Sequence, residues 1–212
     1  MPEPENYYAT YCRLEEASGD SCVVLNANAV IIAAELTVTK QVHVTKRGKE
    51  VPRILLSRGK EAMGFLPDKV FKQVDGLLDD GWTCRAFASA VVIDKIRNTN
   101  WVEVAIVCYP SKDAPVFEPF VASIADRIAK GDHPAIALSS KELEHVIESG
   151  GQWADVKSQQ LPKLEKGVAY FKRTMTENLA YAAAAGNKGC YVGLFVVLFV
   201  IIFLIVSFFI FR

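Results

Sequence analysis

Three histidines, His43, His133 and His145, are the side chains of this 212-residue protein best suited to general acid–base chemistry near neutral pH. His133 sits in Gly131-Asp132-His133-Pro134, a turn in which asparagine or serine would serve as well. His145 follows Glu144 on a solvated helix face and has no second histidine at metal-ligand spacing. His43 alternates out of an apolar face. No Gly-x-Ser-x-Gly, His-Glu-x-x-His, Walker or dinucleotide-binding motif accompanies them. Asp79 and Asp80 run into Gly81 and read as the end of a helix rather than as an acid pair. The sequence therefore predicts structural histidines and neither a cofactor, a metal centre nor a catalytic constellation. A concave pocket gathering His43 or His133 with a carboxylate would point instead to an enzyme.

A second set of residues could bind rather than react. Arg47, Lys49, Arg58 and Lys60 lie in two charged turns around a short strand at Ile54–Leu56, with Lys46 and Arg53 nearby and Phe65 and Trp82 as aromatics. Single-stranded nucleic acid is held by cations that follow its backbone and by aromatic rings that stack on its bases. Hairpin tips that projected Arg47, Lys49, Arg58 and Lys60 together beside Phe65 would make such a face. The alternative is a solvated charged rim with Phe65 in the core.

Charge gives no general pull toward nucleic acid. Lysine plus arginine equal aspartate plus glutamate at 24 each, and only Arg212 lies beyond Lys188, so residues 1–188 carry 23 − 24 = −1. Five cysteines, Cys12, Cys22, Cys84, Cys108 and Cys190, are scattered and include no Cys-x-x-Cys pair. This pattern argues against a zinc site or a disulfide framework and suits a reducing compartment. The first eight residues lack the apolar core of a secretory leader.

The last two dozen residues differ from all others. Residues 189–211 contain no charge and no proline, and 191–211 are apolar on every face of a helix. At about 1.5 Å per residue that stretch spans roughly 30 Å, the thickness of a bilayer's hydrocarbon core. The sequence thus predicts a transmembrane helix. Lys172, Arg173 and Lys188 precede it and only Arg212 follows, which places residues 1–188 in the cytosol in a tail-anchored arrangement. Cys190 would sit at the cytosolic edge, where a palmitoyl group could be attached. Gly189 and Gly193 are spaced to let two such helices approach as a homodimer.

The periodicities order the rest. Residues 7–110 read mainly as short strands, with Gln41–Thr45 alternating so that Val42 and Val44 share one face. Pro67 opens a helix whose stripe is Val70, Phe71, Val74, Leu77 and Leu78 and which Gly81 ends. Two longer strands follow, over 82–93 and 101–108, with Val102, Val104 and Ile106 on one face. Phe117, Phe120, Ile124 and Ile128 form a helical stripe ending at Gly131. Ser139 and Glu142 make a capping box for a further helix that Gly150 and Gly151 close. Leu164, Val168, Phe171 and Met175 recur at helical period among lysines, as in a helix lying against lipid headgroups or packed on the domain. The expected organisation is α+β: a β-rich, barrel-like domain over 1–110, a helical annex over 111–160, an amphipathic helix or linker over 161–188, and the membrane helix over 189–211.

The order of a strand from Arg53, a turn, the step Gly64-Phe65-Leu66-Pro67, a helix ending at Gly81 and a strand from Thr83 resembles the second half of HIRAN domains. That resemblance covers about 40 residues. It implies a small OB-like barrel of the kind found in DNA-processing proteins, some of which bind the 3′ end of single-stranded DNA. Where that family has its Asn-x-x-Asp-x-Asn-Ala-Ile stretch, this chain has Arg47 to Arg53, so no DNA-contacting residue carries over. Together these readings predict a non-catalytic binding or scaffolding module on the cytosolic face of a membrane, its ligand a protein or peptide. The alternative is a membrane-tethered single-strand binder.

Overall fold

The computed structural model describes residues 6–15, 32–44, 48–94, 99–152, 156–161, 163–166 and 168–170. Backbone contacts divide the chain into Met1–Phe171 and Lys172–Arg212, and every described residue belongs to the first unit. The apolar tail with Cys190, Gly189 and Gly193 lies outside the described residues, as do Arg47 and the runs expected as strands near 22–31. No helix among the described residues is long and apolar enough to cross a membrane.

Among the described residues the fold is α+β, a mostly antiparallel open sheet with three α-helices. Its strands are β1 (Tyr8–Arg13), β2 (Glu35–Val44), β3 (Glu50–Arg58), β4 (Glu61–Phe65), β5 (Trp82–Asp94), β6 (Thr99–Pro110) and β7 (Val168–Tyr170). The helices are α1 (Asp68–Asp79), α2 (Ala114–Ala129) and α3 (Ser140–Glu148). The sheet runs β1-β6-β5-β2-β3-β4, and β7 adds to β5. The two ends of this path meet at one antiparallel bridge, where Glu15 and Phe65 exchange both backbone hydrogen bonds at 2.8 Å. Gly64 permits that approach. A Cβ there would stand 2.6 Å from the Glu15 carbonyl oxygen.

Alternation along β6 separates two cores. Val102, Val104, Ile106 and Cys108 turn inward with Ile54, Leu56, Leu66 and the Val70 and Val74 stripe of α1. Ala105, Val107 and Tyr109 turn outward, where the α2 stripe of Phe117, Phe120, Val121, Ile124 and Ile128 covers them. A strand covered on both faces loses the polar half of its alternation, which is why residues 101–110 are apolar almost throughout. Tyr7 joins the outer core by stacking on Phe117 at 5.7 Å and donating its hydroxyl to the Ile136 carbonyl. Each fully buried phenylalanine contributes roughly 1.5–3 kcal/mol by area.

Several expectations are met and several are corrected. α1 begins just after Pro67, and α2 and α3 follow their stripes. The Ser139–Glu142 capping box forms with both reciprocal bonds. The helical period from Leu164 gives instead the strand β7, antiparallel to Val92–Asp94 of β5. β2 pairs with β5 at Glu35 and Leu36, and the β-forming Val-Ala-Tyr takes up the same side of β5 farther along, at Val92–Asp94. Val42 and Val44 share a face as expected, but that face is exposed, while His43 packs 5.0 Å from the Phe65 ring. Cys84 and Cys108, 24 residues apart, are direct cross-strand partners with Cα atoms 4.1 Å apart, and they form a disulfide. The expectation that the cysteines form no disulfide is therefore corrected, and with it the support they gave to a reducing compartment.

The capping box yields a measurable effect. Ser139→Ala should remove about 1 kcal/mol by leaving N–H groups at the start of α3 without a partner. The backbone and side chain of Ser139 hold the Glu142 carboxyl below its usual range. Asp132 is also held low: burial pushes it up, but bonds from Ser158, Arg127 and the His133 N–H outweigh that. Both carboxylates bind protons more weakly folded than unfolded, so their stabilisation is complete above the unfolded value and fades as pH falls through the folded one. Urea midpoints should thus decline on acidification, less steeply in Ser139→Ala. An equal decline in both proteins would contradict the assignment to Glu142.

Candidate functional site

The outer face of β6 carries one charge in an otherwise apolar stretch, Glu103, and it is buried. A β-bulge explains how this carboxylate is held. The β5–β6 register slips between Ala88 and Ala90, so Ser89 is an extra residue without a partner opposite. Bulges re-aim side chains, and here the Ser89 hydroxyl donates to Glu103 Oε1 at 3.1 Å.

The second partner comes from the turn after α2. Arg127 fixes that turn by pairing with Asp132 at 2.6 Å and donating to the Val156 carbonyl and the Ser158 hydroxyl. Asp132 in turn accepts from the His133 N–H at 2.7 Å. The imidazole is thereby swung under the sheet edge, where its Nε2 lies 2.8 Å from Glu103 Oε1. Both side chains are only 6% exposed. Tyr11 stacks on the His133 ring at 3.8 Å and donates its hydroxyl to the Pro134 carbonyl at 2.8 Å. Burial, reinforced by the Glu103 carboxylate, pushes the Tyr11 phenol well up, so it remains a neutral donor. His133 Nδ1 is buried without a hydrogen-bond partner.

Above this pair is a cavity of about 350 Å³ lined by Tyr11, Cys12, Arg13, Trp101, Glu103, His133, Gln159 and Gln160. The Arg13 guanidinium lies over the Trp101 ring, 4.8 Å from its centroid. Arg13 is also the cross-strand partner of Glu103. The hydrogen bonds from Ser89 and His133 to Glu103 both fall on Oε1. The buried Glu103, the Trp101 indole, Gln159 and Gln160 thus line one small space.

Cys12 touches this cavity, but its side chain packs with the inner core. Burial, with the Glu103 charge second, pushes its thiol up to about 12. About one thiol in ten thousand is ionised at pH 8, so it should be a poor nucleophile. Iodoacetamide at that pH, followed by peptide mass spectrometry, should leave Cys12 unmodified until the protein is unfolded. Equal labelling in native and unfolded protein would contradict this placement.

His133 thus meets the condition set for a catalytic reading, a histidine beside a carboxylate in a concavity, and it is not the interchangeable turn residue its sequence suggests. The arrangement is nonetheless not a nucleophile–base relay. Ser89 donates to the carboxylate rather than to the imidazole, and the other imidazole nitrogen is enclosed. No group of His, Cys, Asp or Glu among the described residues is arranged to hold a metal ion.

The described basic candidates Lys49 and Arg58 do not converge. Lys49 precedes β3 and Arg58 ends it, so the nine residues of β3 place them about 30 Å apart. Lys60 is exposed in the turn beside Arg58. Phe65 is 4% exposed and belongs to the interior, so its ring offers no stacking platform. Arg53 is tied to Glu15 and Asp68, each at 2.9 Å. Glu103 was discernible as the lone charge within 101–110. Ser89, Tyr11, Arg13, Trp101, Gln159 and Gln160 carry no local signal, because pairings far apart in sequence bring them together.

No protein-family model, curated protein or solved structure matches this chain.

Proposed function

We propose that this protein is a non-catalytic binding module, tethered to the cytosolic face of a membrane by its C-terminal apolar segment, with the Glu103–His133 cavity as its ligand site. The observation that carries the reading is the buried Glu103 carboxylate at the edge of that cavity, held on Oε1 by Ser89 and His133 so that neither uses its second oxygen. Burying an ionisable pair costs several kcal/mol of desolvation per ion, and convergent polar groups in a concave apolar site are the usual mark of ligand contact. The strand path whose ends meet at Glu15 and Phe65 supports a barrel-like, HIRAN-like or OB-like reading of the sheet. The tether rests on the uncharged run over 189–211. Binding a protein or peptide suits a site open at the surface better than binding a strand of nucleic acid, whose expected cations lie at opposite ends of β3.

Two measurements test this reading. Alkaline carbonate should leave the intact chain in the membrane pellet, and its release into the supernatant would contradict the tether. Saturation-transfer NMR with a fragment library, on the full chain in nanodiscs, should give binders that Trp101→Ala abolishes. Binders indifferent to that substitution would place the ligand site elsewhere.

A further inference from the structure

We propose that the cavity over Glu103 recognises a guanidinium group, which takes the place Arg13 now occupies on Trp101. This deepens the ligand-site reading above and rests on it. Three features of the site carry it. First, the Trp101 face already holds a guanidinium, that of Arg13, and an indole face attracts such cations through its ring quadrupole. Second, Glu103 offers an oxygen that neither Ser89 nor His133 uses. That oxygen can accept one N–H of a guanidinium, whose planar and weakly hydrated head can stack on the indole face at the same time. Third, Gln159 and Gln160 line the same space, and a glutamine side-chain carbonyl is a neutral acceptor suited to the remaining donors. The volume of about 350 Å³ suits a guanidinium with a short aliphatic stem.

Arg13 then acts as an internal stand-in. It is an exposed residue whose head lies on Trp101, and among the described residues no ion pair ties it to Glu103. An incoming guanidinium displaces it into solvent and donates to Glu103 Oε2. Removing Arg13 therefore eliminates both a competitor and a like charge, which makes Arg13→Ala the variant of tightest binding.

Isothermal titration of the full chain in zwitterionic nanodiscs tests this with four probes: arginine amide, the tripeptide Gly-Arg-Gly, citrulline amide and methyl phosphate. Arginine amide should bind and citrulline amide, its neutral isostere, should not. Arg13→Ala should tighten binding several-fold. Glu103→Gln, which keeps an acceptor under Ser89 and His133, should weaken it at least about tenfold. Trp101→Leu, at the half-exposed mouth, should weaken it about five- to tenfold. Melting curves on each variant separate lost binding from lost folding, and Trp101→Leu provides the result if Glu103→Gln unfolds. Tighter binding of the tripeptide would identify an arginine side chain of a peptide as the source, and equal binding a free small molecule. Binding of citrulline amide or methyl phosphate that depends on Trp101 would overturn the guanidinium assignment and leave the ligand site standing. Absence of binding by all four probes, in wild type and Arg13→Ala alike, would overturn the assignment and count against the site itself.

Discussion

Replacing His133 with alanine should destabilise the protein by about 3–5 kcal/mol, a large share of a typical domain's total stability. The substitution removes one of the two hydrogen bonds that hold the buried Glu103 carboxylate, leaving that from Ser89, and strips the stacking surface from Tyr11. It also loosens the crossing from α2 to α3, which Tyr11 and Tyr7 hold to β1 through the Pro134 and Ile136 carbonyls. Glu103→Gln retains an acceptor for both donors and should cost only about 1–2 kcal/mol. Urea unfolding in detergent, followed by near-ultraviolet circular dichroism, checks both. Similar small losses for the two variants would mean that His133 is not a buried partner of Glu103.

The second large effect is at Gly151. Its φ is +85°, a conformation that costs an L-residue about 1–2 kcal/mol. A Cβ there would also stand 2.2 Å from the Val116 carbonyl oxygen and 3.2 Å from the Phe120 N. Both obstacles are α2 backbone, which cannot yield without disturbing the Phe117 and Phe120 packing. Gly151→Ala should therefore cost about 3 kcal/mol or more. Gly81 is the control, with φ +78° and nothing within 4 Å of an added Cβ, so Gly81→Ala should lose only the backbone contribution of about 1 kcal/mol. Thermal unfolding of the pair measures the difference, and equal shifts would show that the approach to Val116 is not as close as described.

What could be read before the fold was known is what local rules govern. Pro67 and Gly81 bracket α1 because proline suits a helix entry and glycine the left-handed step beyond its end. The Ser139–Glu142 box is a contact between residues three apart, and the apolar stripe of α2 repeats within one element. The features that escaped depend on pairing. Cys84 and Cys108 meet only once β5 and β6 are in register, and Ser89 faces Glu103 only because one residue bulges. The segment around Val168 has helical spacing, yet it pairs with β5 at Val92–Asp94, a contact between residues more than 70 apart in sequence. Of the two readings of the basic turns, strand geometry already favoured the solvated rim. Two turns flanking a single strand lie at its opposite ends, so Lys49 and Arg58 could not share a tip.

The central claim is that His133 is locked by Glu103 beneath a cavity, and the imidazole proton reports on it directly. In the full chain labelled with ¹⁵N-histidine, the Nε2 proton of His133 should give a downfield resonance, protected from solvent exchange and lost in Glu103→Ala. His145, exposed on α3, supplies the unprotected reference. A His133 imidazole proton exchanging as fast as that of His145 would contradict the buried pair, and with it the ligand site built upon it.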